Sequence, residues 1–237
     1  MKSKFFIVGT GRSGSSLLSA ILQQAGANFG LPTLKEWDRD HGALEHPDLD
    51  KMNSWHKWQQ MIAQKMPSKK GAGFCKRSRF KILNAMMQKA DFFNIHGWEY
   101  VVSEANELGY KPKIIISYRN FDDYAISLYL KKGDNYTHKQ LSDLYFNFNA
   151  ESLMLLSSFG GCAISYEELV DNKEQSWATC LARITGLAES DLLRTRDELA
   201  VAPRKRVGSL SLPKDERIES ILLQLQELKG KVIQESF

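Results

Sequence analysis

The sequence has no apolar run long enough to cross a membrane or to serve as a secretion signal. The longest near its start covers residues 5–8, against roughly 7–15 residues for a signal core and about 20 for a span. The expectation is a protein that stays in the cytoplasm. Cysteine is scarce: Cys75, Cys162 and Cys180 are odd in number, widely spaced and form no Cys-x-x-Cys pair. That argues against a zinc or dithiol centre and for thiols buried in a reducing compartment. A dominant charge is missing too. The 32 basic and 28 acidic residues leave a net +4, far from the extreme of a nucleic-acid binder yet suited to a small anionic ligand. No repeat or low-complexity tract interrupts the 237 residues, and 43% hydrophobic with 25% charged residues is the balance of one ordinary globular domain.

What is there begins with a short apolar run at residues 4–8, which predicts a buried strand. It leads into the glycine-rich stretch Gly9-Thr10-Gly11-Arg12-Ser13-Gly14-Ser15-Ser16, a tight loop. Leu17, Leu18, Ile21, Leu22 and Ala25 then recur at helical spacing up to Gly26. Residues 30–50 read as irregular, followed by a helix carrying Trp55, Trp58 and Ile62. We expect this stretch, about 30–70, to form a lid or acceptor-facing insertion. Residues 72–75 are a weak strand candidate, and 80–89 and 99–108 read as helices. The strongest second strand is 113–118, built on Ile114, Ile115 and Ile116.

Helices are expected at about 121–131 and, behind Thr137 as N-cap, at 138–158. A short strand at 161–165 and helices at about 175–185 and 214–228 complete the pattern. Strands separated by helices predict an α/β fold, a short parallel sheet with helices on both faces.

The glycine loop fits more than one template. As Gly9-x-Gly11-x-x-Gly14 it matches a dinucleotide fingerprint, which also needs an acid closing a second strand about 20 residues on; Glu36 has the distance but not the strand end. As Gly9-x4-Gly14-Ser15-Ser16 it has the frame of a triphosphate-binding loop, with Ser15 where the lysine belongs and no aspartate closing a later strand. A serine-hydrolase elbow requires glycine two residues after the serine, and Gly14 follows Ser13 at once. What survives is a nest of backbone N–H groups at a helix N-terminus, suited to a phosphate without metal, with Arg12, Ser13, Ser15 and Ser16 as added donors. A plain packing turn is the remaining alternative.

The isoleucine strand runs into Arg119-Asn120-Phe121-Asp122-Asp123-Tyr124-Ala125-Ile126-Ser127. An arginine at a strand end and a serine about two turns into the next helix can point at one phosphate. With Gly11-Arg12-Ser13-Gly14-Ser15-Ser16, this segment resembles the bacterial-type sulfotransferases that use 3′-phosphoadenosine 5′-phosphosulfate (PAPS) and release 3′-phosphoadenosine 5′-phosphate (PAP). The resemblance implies a single P-loop NTPase-like domain over 1–237. It also implies a 5′-phosphosulfate held by the first loop and a 3′-phosphate held by Arg119 and Ser127. Residues 40–49 look like a Gly-x-x-Glu-His segment of such enzymes, Tyr166-Glu167-Glu168-Leu169-Val170 like their Tyr-Glu-Asp-Leu-Val strand end, and 203–208 like a late basic segment that would bring Arg204 and Lys205 to the 3′-phosphate.

Sulfuryl transfer demands an in-line nucleophile and charge stabilisation on the leaving phosphate. Arg12 is the expected electrostatic catalyst, permanently charged and unable to trade a proton. For the base, the resemblance favours Glu45, flanked by His41 and His46, and a histidine can titrate near neutral pH unaided. Lys76 resembles a lysine placed near the sulfate. His56 and His96 read as structural or exposed, and Trp37, Trp55 and Trp58 as core or acceptor-pocket residues. The expected acceptor is a small molecule, lipid or saccharide, with no metal and no nucleic acid. A small nucleotide or metabolite kinase, or a non-catalytic nucleotide-binding protein, are the rivals.

Overall fold

A computed structural model describes residues 2–30, 48–65, 69–95, 100–132, 136–171, 174–199, 213 and 215–235. Strand β1, Ser3–Val8, is followed by helix α1, Ser15–Gln24, then α2, Asp48–Lys65, and α3, Lys69–Lys89. Strand β2, Phe92–Asn94, α4, Tyr100–Glu107, and β3, Lys111–Tyr118, come next, then α5, Phe121–Lys132, and α6, His138–Phe159. The chain ends with β4, Gly161–Ser165, α7, Tyr166–Asp171, α8, Ser176–Thr185, α9, Glu189–Leu199, and α10, Glu216–Glu227.

All four strands are parallel, in the order β2-β1-β3-β4. Their side chains are apolar on both faces because both faces are covered. Phe5, Ile7, Phe92 and Ile115 pack under α1, α8 and α9, with Leu18, Leu22, Trp177, Leu181 and Leu192. Phe6, Val8, Phe93, Ile114 and Ile116 pack on the opposite side against Leu83, Met86, Val101, Leu156 and Leu225. Each such fully buried aliphatic or aromatic side chain contributes about 1.5–3 kcal/mol. Helix α6 starts as expected, with a capping box between Thr137 and Gln140.

The weak strand expected at 72–75 is instead part of α3. Gly71 and Gly73 dilute the helical signal there. The buried positions Cys75, Arg79, Leu83 and Met86 nonetheless keep a helical period, and burial of that stripe overrides the local propensity. Strand β2 and helices α7 and α9 were not anticipated. The sheet order also fixes where a ligand can enter. From β1 the chain moves to β2 on one side, and from β3 it moves to β4 on the other. The carboxyl ends of β1 and β3 therefore flank the topological switch point, the crevice where open α/β sheets bind ligands.

Candidate active site at the carboxyl edge of the sheet

The first loop leaves β1 at Gly9, whose φ of +142° suits glycine and where a β-carbon would run into the Ser117 carbonyl oxygen. Gly14, φ +97°, caps α1 with no side-chain hydrogen bond, and a β-carbon there would meet the Tyr166 ring. The first amides of α1 thus receive no side-chain cap, the arrangement that favours an anion. Between the glycines, Ser13 N–H donates to Thr10 O at 3.1 Å. From β3, Ser117 Oγ donates to Ser13 O at 3.1 Å. Arg12 takes φ +73°, a left-handed conformation that costs a non-glycine residue about 1–2 kcal/mol. Thr10 and Ser13 are wholly buried, and neither Thr10 Oγ1 nor Ser13 Oγ has a hydrogen-bond partner. Ser13 Oγ lies beneath the loop beside Gly9, so the uncapped amides at the start of α1, rather than these two hydroxyls, are the exposed donors of the loop.

The second segment leaves β3 at Tyr118 and enters α5 at Phe121. Arg12 Nε donates to Ser127 Oγ at 3.0 Å, so the two motifs meet on one side of the sheet. Arg119 holds its guanidinium 4.3 Å from the Tyr166 ring centroid, within cation–π range, and its Nε is buried without a partner. Tyr166 therefore touches both segments, Gly14 from one side and Arg119 from the other. Its sequence signal was position: it follows β4 as Arg119 follows β3 and Gly9 follows β1. The fourth strand end is Asn94, 1% exposed, its amide nitrogen and oxygen both unpartnered.

Gly11, Arg12, Ser13, Gly14, Ser15, Ser16, Arg119 and Ser127 are thus gathered at one edge. Lys76 is elsewhere in character: exposed on α3, it binds Glu107 at 2.6 Å and lies over the Phe80 ring. Glu45, His41, His46, His96, Trp37, Arg204 and Lys205 lie outside the described residues. Burial, then Glu168 and Glu167, raise the Tyr118 hydroxyl well above its ordinary pKa. It stays protonated, a donor rather than a base.

The family model described as sulfotransferase domain matches residues 2–181. The chain belongs to the sulfotransferase family. The matched span holds both segments and the whole sheet; α9 and α10 lie beyond it. No curated protein sequence matches significantly. Among solved structures, a sulfotransferase domain from the curacin biosynthetic pathway superposes with a TM-score of 0.51 at 13% identity, over 95% of this chain and 98% of that one. Likeness at that identity concerns the fold, here the sulfotransferase α/β fold. The sulfotransferase STF9 from Mycobacterium avium gives 0.49 at 11% identity, over 99% of this chain and 79% of that one. Among the described residues no helix of this sulfotransferase is long and apolar enough to cross a membrane.

Proposed function

We propose that this sulfotransferase moves a sulfuryl group from PAPS to a hydroxyl or amine of a small-molecule, lipid or saccharide acceptor, by in-line displacement and without a metal ion. The observation that carries this reading is the 3.0 Å hydrogen bond from Arg12 to Ser127, which sets the glycine loop and the Arg119–Ser127 segment side by side at the switch point. A nucleotide with phosphates at both its 3′ and 5′ positions is the ligand that uses both. The fit is supported by the uncapped first amides of α1 and the orphaned Nε of Arg119.

In this reading the amides of 11–16 with Arg12, Ser13, Ser15 and Ser16 hold the 5′ end, and Arg119 and Ser127 hold the 3′-phosphate. The donor supplies an activated sulfuryl group on a phosphate leaving group. Arg12, in its left-handed conformation, stabilises the charge that grows on the bridging oxygen. The acceptor proton goes to Glu45 or His41, within the acceptor-facing stretch 30–70 of a single domain. Lys76 would have to leave Glu107 to take part. Arg204 and Lys205 are proposed to add charge at the 3′-phosphate.

Calorimetry without metal tests this directly. PAP is expected to bind at least tenfold more tightly than ATP or NAD, a gap of about 1.4 kcal/mol. Metal-dependent ATP binding with no affinity for PAP would favour a kinase instead.

A further inference from the structure

Arg119 and Asn120 lie between elements. The β3–β4 ladder ends at the pair Tyr118 and Ser165, and α5, which begins at Phe121, reaches back only to Asn120 O, which accepts Tyr124 N–H at 2.9 Å, so neither the sheet nor the helix bonds the Arg119–Asn120 peptide itself. Two side chains do. From α6, Tyr145 Oη donates to Arg119 O at 2.5 Å. From α7, Glu167 Oε1 accepts Asn120 N–H at 3.1 Å, while its Oε2 accepts Ser165 Oγ–H at 2.6 Å. The Glu167 N–H in turn donates to Ser165 Oγ at 3.1 Å, which closes a small ring of bonds at the end of β4.

We infer that Tyr145 and Glu167 are positioning residues that fix the Arg119–Asn120 turn and thereby set how strongly the site discriminates a 3′-phosphate. The inference rests on the proposed role of Arg119 at that phosphate. Three features separate a positioning role from simple core packing. The Tyr145 ring is fully buried against Phe121 and Tyr124, each with its centroid 5.2 Å away, so its packing needs only the ring. Its hydroxyl is spent on a carbonyl beyond the last ladder pair. Through Phe121 and Tyr124 the same ring also seats the first turn of α5, the helix that carries Ser127. Glu167, for its part, uses both carboxylate oxygens to tie the turn after β3 to the end of β4, where a mere surface acid would be solvated. Geometry of this kind matters because a displacement of a fraction of an ångström at a charged donor is enough to weaken its bonds.

The test compares PAP with adenosine 5′-monophosphate, which lacks only the 3′-phosphate. Tyr145→Phe keeps the ring and removes the hydroxyl. It is expected to weaken PAP binding about tenfold while leaving the monophosphate within about twofold. Glu167→Ala is expected to repeat that pattern. Glu167→Gln, which can still accept from Asn120 and donate to Ser165, should stay within about threefold of wild type for both ligands. Tyr145→Phe and Glu167→Ala binding PAP like wild type, or losing both nucleotides equally, would overturn the inference. A wild-type protein that does not distinguish PAP from the monophosphate overturns the donor reading itself, and the inference with it.

Discussion

Arg12 Nε and Ser127 Oγ lie 3.0 Å apart although 115 residues separate them in the chain. One belongs to the loop after β1 and the other to α5, so the bond spans the switch point between β1 and β3. Both motifs consequently face the same crevice, and Tyr166, packed against Gly14 and Arg119, forms part of its wall.

Gly14 is required twice, by its φ of +97° and by the Tyr166 ring where a side chain would go. Gly14→Ala should cost about 2 kcal/mol or more. In a chain of this size that lowers the melting temperature by roughly 4–8 °C, and PAP binding should be lost as the loop shifts. Differential scanning calorimetry with and without PAP checks both.

Arg79 and Glu104, 3% and 6% exposed, form an ion pair in which Arg79 Nε donates to Glu104 Oε1 at 2.9 Å, and Arg79 also donates to Gln59. Arg79→Met leaves a buried carboxylate unpaired and should destabilise by about 3–5 kcal/mol. The double variant Arg79→Met/Glu104→Leu should recover much of that loss. Urea denaturation of the three proteins measures the difference.

Much of this was legible in the sequence. The runs 4–8, 113–118 and 161–165 are short, apolar and bounded by glycine or polar punctuation, and all became strands of a parallel sheet. The Thr137 cap fixed the start of α6. The loop glycines and the eight-residue spacing from Arg119 to Ser127 picked out two segments that lie together at the carboxyl edge of the sheet. What stayed hidden has physical causes. Strand β2 is three residues long, too short to show a period. In α3 the two glycines masked a helix that tertiary burial holds together. Tyr145 and Glu167 bond a backbone carbonyl and a backbone amide in the turn between β3 and α5, and such long-range bonds leave no local pattern. Asn94 showed no sign of being buried until β2 placed it at the edge.

His56 stacks on Tyr100, with centroids 4.1 Å apart, and one ring nitrogen pairs with Gln60. Burial first, then the Arg79 charge, lower its pKa, with Glu104 pulling the other way. The unfolded chain therefore takes up the proton first as pH falls below about 6.5. The stability tied to neutral His56 is complete above that value and lost on acidification. Between about pH 7.5 and about pH 5.5 the wild type should lose more of its urea midpoint than His56→Phe, which keeps the stack and does not titrate. Equal losses would show that His56 does not titrate between the folded and unfolded states as described.

The most direct measurement is the PAP affinity of Arg119→Ala set against its affinity for adenosine 5′-monophosphate. Removing a charge-assisted donor from the 3′-phosphate should weaken PAP by roughly 10- to 100-fold and the monophosphate by no more than about twofold. Parallel losses for the two nucleotides, or none for either, would contradict the claim that two neighbouring anion pockets hold the two ends of one adenosine.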